Sequence, residues 1–196
     1  MRIDLDEIQS YISSNSHILD LGCGEGDLLL HLQEKKNITG VGLENDPNHI
    51  AQCILKGVNV VEHDLNKGLS HLANNSYDVV IMTLALQTMK SPDKVLDEML
   101  RIGKECIITF PNFAYWKSRW HLLIHGRMPV SDLLPYEWYS TPNIHFCTVR
   151  DFEVLCHERG ITILHNTVVA RTRIDQYMTR WNKNLFGETA VYHLTR

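Results

Sequence analysis

The stretch "HILDLGCGEGDLLLHL", residues 17 to 32, places three glycines at alternate positions directly after an acid. It begins with an apolar run of strand length, and Leu28, Leu29 and Leu32 then follow at helical spacing. Glycine permits a sharp turn and lets a ligand approach the backbone closely. Free N–H groups at the start of the helix would face that ligand. The stretch therefore predicts a strand, a ligand-binding turn and a helix.

The acid before the glycines disfavours a dinucleotide as the ligand. A dinucleotide-binding turn reads G-x-G-x-x-G and holds a pyrophosphate at the helix N-terminus. Here the pattern is D-x-G-x-G-x-G, formed by Asp20, Gly22, Gly24 and Gly26. A carboxylate repels a pyrophosphate and attracts a cation. The turn therefore favours a ligand that carries an ammonium group.

Strand and helix patterns alternate along the chain and predict parallel βαβ units. Apolar runs predict strands at 17–21, 38–44, 58–64, 77–85, 105–112, 161–170 and 189–195. Helical spacing predicts helices at 4–12, 27–36, 45–57, 91–103 and 148–160. The last two strands follow each other without a clear crossover helix, so they can pair as a hairpin. The predicted fold is α/β, a Rossmann-like, doubly wound, mostly parallel seven-stranded sheet with one antiparallel strand near the C-terminal end.

Three of the predicted helices begin with recognisable capping residues. Asp46 before Pro47, and Ser91 before Pro92, each place an N-cap residue ahead of a proline at the first helical position. The Thr-x-x-Asp pattern at 148–151 predicts a capping box. These signals fix where the helices start.

Two further acids lie at the predicted carboxyl ends of the next strands. Glu44 follows Asp20 by 24 residues, and Asp64 follows Glu44 by 20. Ligands bind at this edge of open α/β sheets, and carboxylates can accept hydrogen bonds from ribose hydroxyls or an exocyclic amine. Each acid alone could also be a helix N-cap or a solvated strand end. Together with the glycines they favour an adenosine that bears a positively charged tail.

The segments "LDLGCGEGDLL", "GVGLEND", "VVEHDL" and "YDVVIMTLALQTM" resemble the S-adenosylmethionine-binding motifs of class I methyltransferases. The resemblance implies that the glycines line the methionine moiety, with Asp20 near its amino group. It also implies that Glu44 holds the ribose hydroxyls, that Asp64 and Leu65 meet the adenine, and that residues 83–86, from Thr83 to Leu86, form the floor of the pocket. The implied site for S-adenosylmethionine or S-adenosylhomocysteine comprises Asp20, Gly22, Cys23, Gly24, Gly26, Glu44, Asn45, Asp64, Leu65, Thr83 and Leu84.

A narrower resemblance runs over nearly the whole chain. The segments "LQTMKSPDKVLDEMLRIGK", "TFPNFAYWKSR" and "GRMPVSDLLPYEWYSTPNIHFCTVRDFEVLC" are similar to the methionine biosynthesis protein family MetW. That resemblance implies an S-adenosylmethionine-binding protein of methionine biosynthesis. It also implies a partner and activator role toward a homoserine O-acyltransferase.

The alternative function is a working methyltransferase that acts on a small-molecule or protein acceptor. Methyl transfer needs a positioned acceptor and in some cases a general base. His145, just before the last predicted helix, is a weak candidate for the base, and a histidine held by local hydrogen bonds is the plainer interpretation. The eleven histidines are scattered and predict no metal site. Whether the chain is an enzyme is left open at this point.

Residues 113–146 form an aromatic insertion between the fifth strand and the last predicted helix, within a single domain spanning 1–196. The insertion concentrates three Trp and three Tyr residues with arginine and methionine, a composition typical of interface cores. The same residues could line an acceptor pocket or pack on the sheet. The sequence leaves these three roles open.

Composition sets the remaining expectations. The net charge of −4 does not favour nucleic acid as a partner, although Arg171, Arg173, Arg180 and Lys183 are close in sequence. The five cysteines show no C-x-x-C pair, which predicts reduced thiols that lie mostly in the core. No run approaches 18 apolar residues and no signal-peptide segment opens the sequence. A cytoplasmic protein without membrane contact is expected.

Overall fold

Strands and helices alternate along the chain in the computed structural model, which describes residues 4–131 and 134–196. The strands are β1 His17–Leu21, β2 Thr39–Glu44, β3 Val60–Glu62, β4 Tyr77–Thr83, β5 Gly103–Pro111, β6 Thr162–Val169 and β7 Thr189–Thr195. The helices are α1 Leu5–Tyr11, α2 Asp27–Lys36, α3 Pro47–Leu55, α4 Pro92–Ile102, α5 Trp116–His125, α6 Val149–Glu158, α7 Arg173–Met178 and α8 Lys183–Phe186.

The strands form one seven-stranded sheet in the order β3-β2-β1-β4-β5-β7-β6. The pairs β1–β2, β1–β4, β2–β3 and β4–β5 are parallel. Strand β7 runs antiparallel to both of its neighbours, β5 and β6. The predicted fold class, including the single antiparallel strand near the C-terminal end, is confirmed. The order reverses direction at β1 and β4, so a crevice opens where their carboxyl ends diverge.

A hydrophobic core lies on each face of the sheet. On one face, Leu28, Leu29 and Leu32 of α2 are buried together with side chains of α1 and α3. On the other face, the buried side chains of α4 and α6 pack in the larger cluster, which includes Phe110 and Phe152. The helical spacing of the three leucines is therefore a core-facing stripe, as the sequence predicts.

All three predicted helix starts agree with the structure. Asp46 Oδ1 accepts a hydrogen bond of 2.8 Å from the backbone N–H of Asn48, and the capping box of Thr148 and Asp151 is present. Ser91 occupies the N-cap position of α4, but its side chain makes no capping hydrogen bond. Helix α4 nevertheless starts where Ser91 and Pro92 predict, with the proline at the first helical position.

The structure adds three helices that the sequence patterns did not predict. Helices α7 and α8 contain six and four residues, too few for a helical repeat to be recognised. Helix α5 was not predicted although its apolar residues recur at helical spacing, at Trp116, Trp120, Leu123 and Ile124. In the structure these side chains are exposed, and only Ser118 of this helix is buried. Helix α6 is therefore not the last helix, contrary to the expectation.

Residues 113–146, called the aromatic segment below, connect β5 to α6 and contain α5. Residues 132 and 133 of this segment lie outside the described residues. The five cysteines are free thiols, four of them buried and Cys147 half-buried, in agreement with the expectation. None of the helices in the described ranges has the length and apolar character needed to cross a bilayer.

Candidate functional site

A cleft of about 440 Å³ lies at the carboxyl ends of β1, β2 and β4. Its volume falls in the range of small-molecule sites. Eight of the eleven residues predicted for the cofactor line this one cleft: Gly22, Gly24, Glu44, Asn45, Asp64, Leu65, Thr83 and Leu84. Their strands end at the same edge of the sheet, which is why residues up to 62 positions apart in sequence meet here.

The three glycines after β1 adopt the left-handed backbone conformation, which side chains strongly disfavour. A Cβ atom on Gly26 would lie 3.0 Å from Cys53 Sγ, because the start of α2 packs against α3 here. A Cβ atom on Gly24 would meet no atom within 4 Å, so this part of the turn lies open to the cleft. The turn therefore exposes bare backbone on one side and packs tightly on the other.

Glu44 fastens this turn to the end of β2. Its Oε2 atom accepts a hydrogen bond of 2.8 Å from the backbone N–H of Gly24. Its Oε1 atom accepts from the backbone N–H groups of Asn45 at 2.8 Å and Asp46 at 3.0 Å. A carboxylate has about four acceptor sites, so Glu44 can still accept one hydrogen bond from a ligand hydroxyl. The carboxylate is buried except for the part that lines the cleft.

Asp64 closes the neighbouring end of the cleft. Its Oδ1 atom accepts hydrogen bonds from the backbone N–H of Asn66 at 3.0 Å and from the Asn66 side chain at 3.2 Å. The backbone hydrogen bond is the main reason that the pKa of Asp64 lies below its ordinary value. Asp64 is therefore a charged N-cap of the short 3₁₀ turn Leu65–Lys67, with a face toward the cleft.

The end of β4 is held in an unusual backbone conformation. Leu84 has a φ of 52°, in the left-handed region that a branched residue rarely adopts. Its backbone N–H donates to the carbonyl oxygen of Thr109 at 2.9 Å, and its carbonyl oxygen accepts from Gln87 Nε2 at 2.7 Å. Strain of this kind clusters at ligand sites, where surrounding contacts hold it in place.

Asp20, Cys23 and Gly26 do not line the cleft, although the resemblance places them in the cofactor site. Asp20 is 1% exposed on the central strand β1. Burial, with a smaller contribution from the nearby Asp20 charge, raises the pKa of the Cys23 thiol. Cys23 is therefore a neutral thiol, and its Sγ lies 4.0 Å from Cys53 Sγ.

Several cleft residues were not singled out from the sequence. They are His49, His63, Asn66, Thr88 and Met89, while Asp46 was predicted only as a helix cap. His49 lies in the first turn of α3, and its Nδ1 atom is 3.9 Å from Glu44 Oε2. The capped start of α3 directly after Glu44 was the available signal, because it fixes which residue of the first turn returns to the strand end.

His145, the weak candidate for a base, does not line the cleft. Its backbone N–H and that of Ile144 both donate to the carbonyl oxygen of Gln87 at 3.0 Å. The chain before α6 therefore lies against the short turn that follows β4, and the imidazole is exposed. Among the described residues, no group of three His, Cys, Asp or Glu side chains could hold a metal ion.

The aromatic segment presents most of its large side chains to solvent. Trp120, Trp138, Tyr136, Tyr139 and Phe146 are each at least half exposed. Tyr115 is buried instead. Packing on the sheet, one of the three roles left open by the sequence, therefore accounts for few of these aromatic side chains.

A family described as "Methionine biosynthesis protein MetW" matches residues 2–194 of this chain. The chain is 33% identical over 172 residues to the "Bifunctional methionine biosynthesis protein MetXA/MetW" of Rhodopirellula baltica. That match covers 83% of this chain and 28% of the relative, so the chain spans less than a third of that protein. A demethylmenaquinone methyltransferase of Lactiplantibacillus plantarum is 24% identical over 177 residues, 80% of this chain and 75% of that protein.

Solved structures share the fold at low sequence identity. An S-adenosylmethionine-dependent methyltransferase from Mesorhizobium loti superposes with a TM-score of 0.72 at 16% identity, covering 100% of this chain and 98% of that one. A methyltransferase of the same description from Archaeoglobus fulgidus gives a TM-score of 0.67 at 17% identity, covering 98% and 91%. The fold is therefore that of S-adenosylmethionine-dependent methyltransferases.

Proposed function

Because the chain belongs to the MetW family of methionine biosynthesis proteins, we propose that it is an S-adenosylmethionine-binding partner and activator of a homoserine O-acyltransferase. The observation that best supports cofactor binding is the hydrogen bond from the backbone N–H of Gly24 to Glu44, which joins the glycine turn to the acid at the end of β2. The bifunctional relative supports the proposed role as partner of the acyltransferase.

The chemistry of the cleft fits S-adenosylmethionine or S-adenosylhomocysteine. Glu44 would accept from a ribose hydroxyl, and Asp64 with Leu65 would meet the adenine. The open backbone at Gly22 and Gly24 would face the methionine part. Asp20 is too buried for contact, so its charge would act on the ammonium group at a distance.

The name of the Rhodopirellula relative pairs MetXA with MetW in one chain. We take the MetXA part as the acyltransferase that the family resemblance implies. Two proteins that work together as one chain in one organism can meet as separate chains in another, through a surface that stays exposed on each. The aromatic segment offers such a surface, because its exposed Trp and Tyr side chains have the composition of interface centres. In this proposal residues 1–196 form one domain with 113–146 as its insertion.

The alternative is an active methyltransferase on an unknown acceptor. The demethylmenaquinone methyltransferases of Lactiplantibacillus plantarum and Leptospira interrogans, 24% and 30% identical, favour it. His145 remains the weak candidate for a base, since its segment lies against the turn after β4. In this alternative the aromatic segment would line the acceptor pocket.

A pull-down from native lysate, with and without added S-adenosylmethionine, separates the two functions. Recovery of a homoserine O-acyltransferase by mass spectrometry supports the partner role, and higher acyltransferase activity of the recovered pair supports activation. Absence of the acyltransferase, together with transfer of a labelled methyl group to another molecule, would favour the methyltransferase instead. If calorimetry shows no binding of S-adenosylmethionine to the wild-type chain, both proposed functions are contradicted.

A further inference from the structure

The turn that follows β4, residues 84–89, is called the β4 turn, and it contacts two parts of the molecule. On one side it lines the cleft with Leu84, Ala85, Thr88 and Met89. On the other side, the carbonyl oxygen of Gln87 accepts hydrogen bonds of 3.0 Å from the backbone N–H groups of Ile144 and His145. These two residues belong to the last part of the aromatic segment. The β4 turn therefore joins the cleft to that segment.

Leu84 is the strained residue of the β4 turn, with its φ of 52°. Such a conformation is costly for a residue with a side chain, so a relaxed conformation with negative φ competes with it. The backbone N–H of Leu84 is held by the carbonyl oxygen of Thr109 at 2.9 Å. Rotation about φ would therefore turn the other end of the residue, its carbonyl group. In the observed conformation that carbonyl oxygen accepts a hydrogen bond of 2.7 Å from Gln87 Nε2.

The side chain of Gln87 depends on this one hydrogen bond. It is 5% exposed, and its Oε1 atom is buried without a hydrogen-bond partner among the described residues. A buried amide that loses its last hydrogen bond is destabilised. Relaxation of Leu84 would therefore displace Gln87, and with it the carbonyl oxygen that Ile144 and His145 use.

The end of the aromatic segment has few other contacts that would hold its backbone at 144–145. The side chains of Ile144 and His145 are exposed. The next contacts along the chain belong to Phe146, whose ring packs on that of Phe113 at 4.5 Å, and to Cys147, whose carbonyl oxygen accepts from the Phe113 backbone N–H at 3.0 Å. The position of residues 144–145 is therefore set mainly by Gln87.

We propose that the β4 turn couples occupancy of the cleft to the order of the aromatic segment, with Gln87 as the connecting residue. A ligand that lies on Leu84 stabilises the conformation in which this residue lines the cleft, and so keeps Gln87 in place. In the empty protein, Leu84 relaxes part of the time and the N–H groups of Ile144 and His145 lose their acceptor.

This inference rests on the proposed function, since it takes S-adenosylmethionine or S-adenosylhomocysteine as the ligand and the aromatic segment as the partner surface. Coupling between two binding sites is reciprocal. An acyltransferase bound to the ordered segment would therefore tighten the binding of the cofactor. The chain would present its partner surface in full only when the cofactor is bound.

Amide hydrogen exchange of the purified chain, followed by NMR, tests the coupling without the partner, because an amide exchanges only when its hydrogen bond opens. We expect exchange at Ile144 and His145 to be at least tenfold slower when the protein is saturated with S-adenosylhomocysteine. The backbone N–H of Gly126, which donates to the carbonyl oxygen of Leu122 in the same segment, is the internal control. Its exchange should change less than twofold.

Gln87→Met tests the connecting residue, since it removes the Nε2 donor and keeps an unbranched side chain of similar length. The slowing at Ile144 and His145 should disappear in this variant. A purely structural role of Gln87 would speed exchange with and without ligand by the same factor and leave the ratio unchanged. Gln52→Met makes the same change at an exposed glutamine of α3 and should retain the slowing. Thermal unfolding and calorimetry confirm that each variant is folded and saturated.

The outcomes separate this inference from the proposed function. Binding of S-adenosylhomocysteine to the wild-type chain without slower exchange at Ile144 and His145 would overturn the coupling and leave the proposed cofactor in place. This comparison needs no variant, so it holds even if Gln87→Met is unstable. Undiminished slowing in folded Gln87→Met would overturn the role of Gln87. Failure of S-adenosylhomocysteine to bind in calorimetry would contradict the proposed cofactor and the coupling together.

Discussion

The Oε2 atom of Glu44 accepts a hydrogen bond of 2.8 Å from the backbone N–H of Gly24, so the end of β2 holds the turn that follows β1. The two residues are 20 positions apart: Glu44 ends β2, and Gly24 lies in the turn that follows β1, the neighbouring parallel strand. One carboxylate thus shapes the backbone of the cleft and contributes an acceptor to its wall. Loss of Glu44 should affect ligand binding and stability together.

Glu44→Ala should weaken binding of S-adenosylmethionine by about 2–3 kcal/mol, because a charge-assisted acceptor is lost. It should also lower the midpoint of thermal unfolding, since three backbone N–H groups lose their acceptor. Calorimetry and thermal unfolding measure the two effects. Glu62→Ala, at the exposed end of β3, is the control. Equal affinity of wild type and Glu44→Ala for S-adenosylmethionine would show that Glu44 does not bind the cofactor.

Gly42→Ala should displace the glycine turn from the side of β2. The added Cβ atom would overlap Cys23 Sγ and lie 2.8 Å from Cys23 Cβ. Such overpacking costs about 1–3 kcal/mol, and here it moves a residue of the turn, so cofactor affinity should fall at least tenfold. In Gly40→Ala the Cβ atom would instead lie 2.8 Å from Leu29 Cδ2. Gly40→Ala should therefore be less stable than wild type but should bind the cofactor with unchanged affinity. The same affinity in both variants would contradict this prediction.

Trp120→Ala combined with Trp138→Ala should abolish co-purification of the acyltransferase and leave cofactor binding intact. Both side chains are more than half exposed. Trp116 is unsuitable for this test, because its Nε1 donates to Asp175 and its loss would disturb α5. Trp181→Ala removes an equally exposed tryptophan outside the aromatic segment and is the control. A double variant that retains the partner but loses methyl transfer would favour the acceptor-pocket role.

Asp175→Asn should lower the free energy of unfolding by about 1–3 kcal/mol at pH 7, because buried donors lose a charged acceptor. The pKa of Asp175 is lowered by folding, so its contribution is complete above about pH 4 and disappears as the pH falls through the native pKa. Urea unfolding at several pH values should therefore show wild type and variant converging in acid.

Glu34→Gln, an exposed acid of α2, is the control for this measurement. A difference between wild type and Asp175→Asn that stays constant from pH 7 to pH 3 would show that Asp175 stabilises the fold without its charge.

The sequence predicts those parts of the molecule whose signals are local. Apolar runs mark the strands, and the glycine turn needs its residues for backbone reasons that act within a few positions. The strand-end acids Glu44 and Asp64 could be placed in one cleft because parallel strands end at the same edge. Most of the predicted cofactor residues do line one cleft at that edge of the sheet in the structure.

Other features depend on contacts that no local pattern encodes. Asp175 and Tyr115 are 60 positions apart, and the two join helices of which neither was predicted. Asp20 lies on a central strand in which four consecutive residues are buried, so alternation could not indicate which side chain faces the ligand. A second cavity, beside α5, combines residues as far apart in sequence as Lys117, Val130 and Glu188, so no local pattern could predict it.

The insertion of β7 between β5 and β6 imposes an order on folding. Strand β6 is synthesised first, yet among the described residues it pairs with β7 alone, so it joins this sheet after β7 is made. The β5–β7 ladder joins residues about 80 positions apart, a closure that slows folding. Until it forms, β5 is an exposed edge on which another strand could add. Completion of the sheet also places Glu188, the residue before β7, between Val169 and Asn112, so the hydrogen bonds that join these three residues form in the final step of assembly.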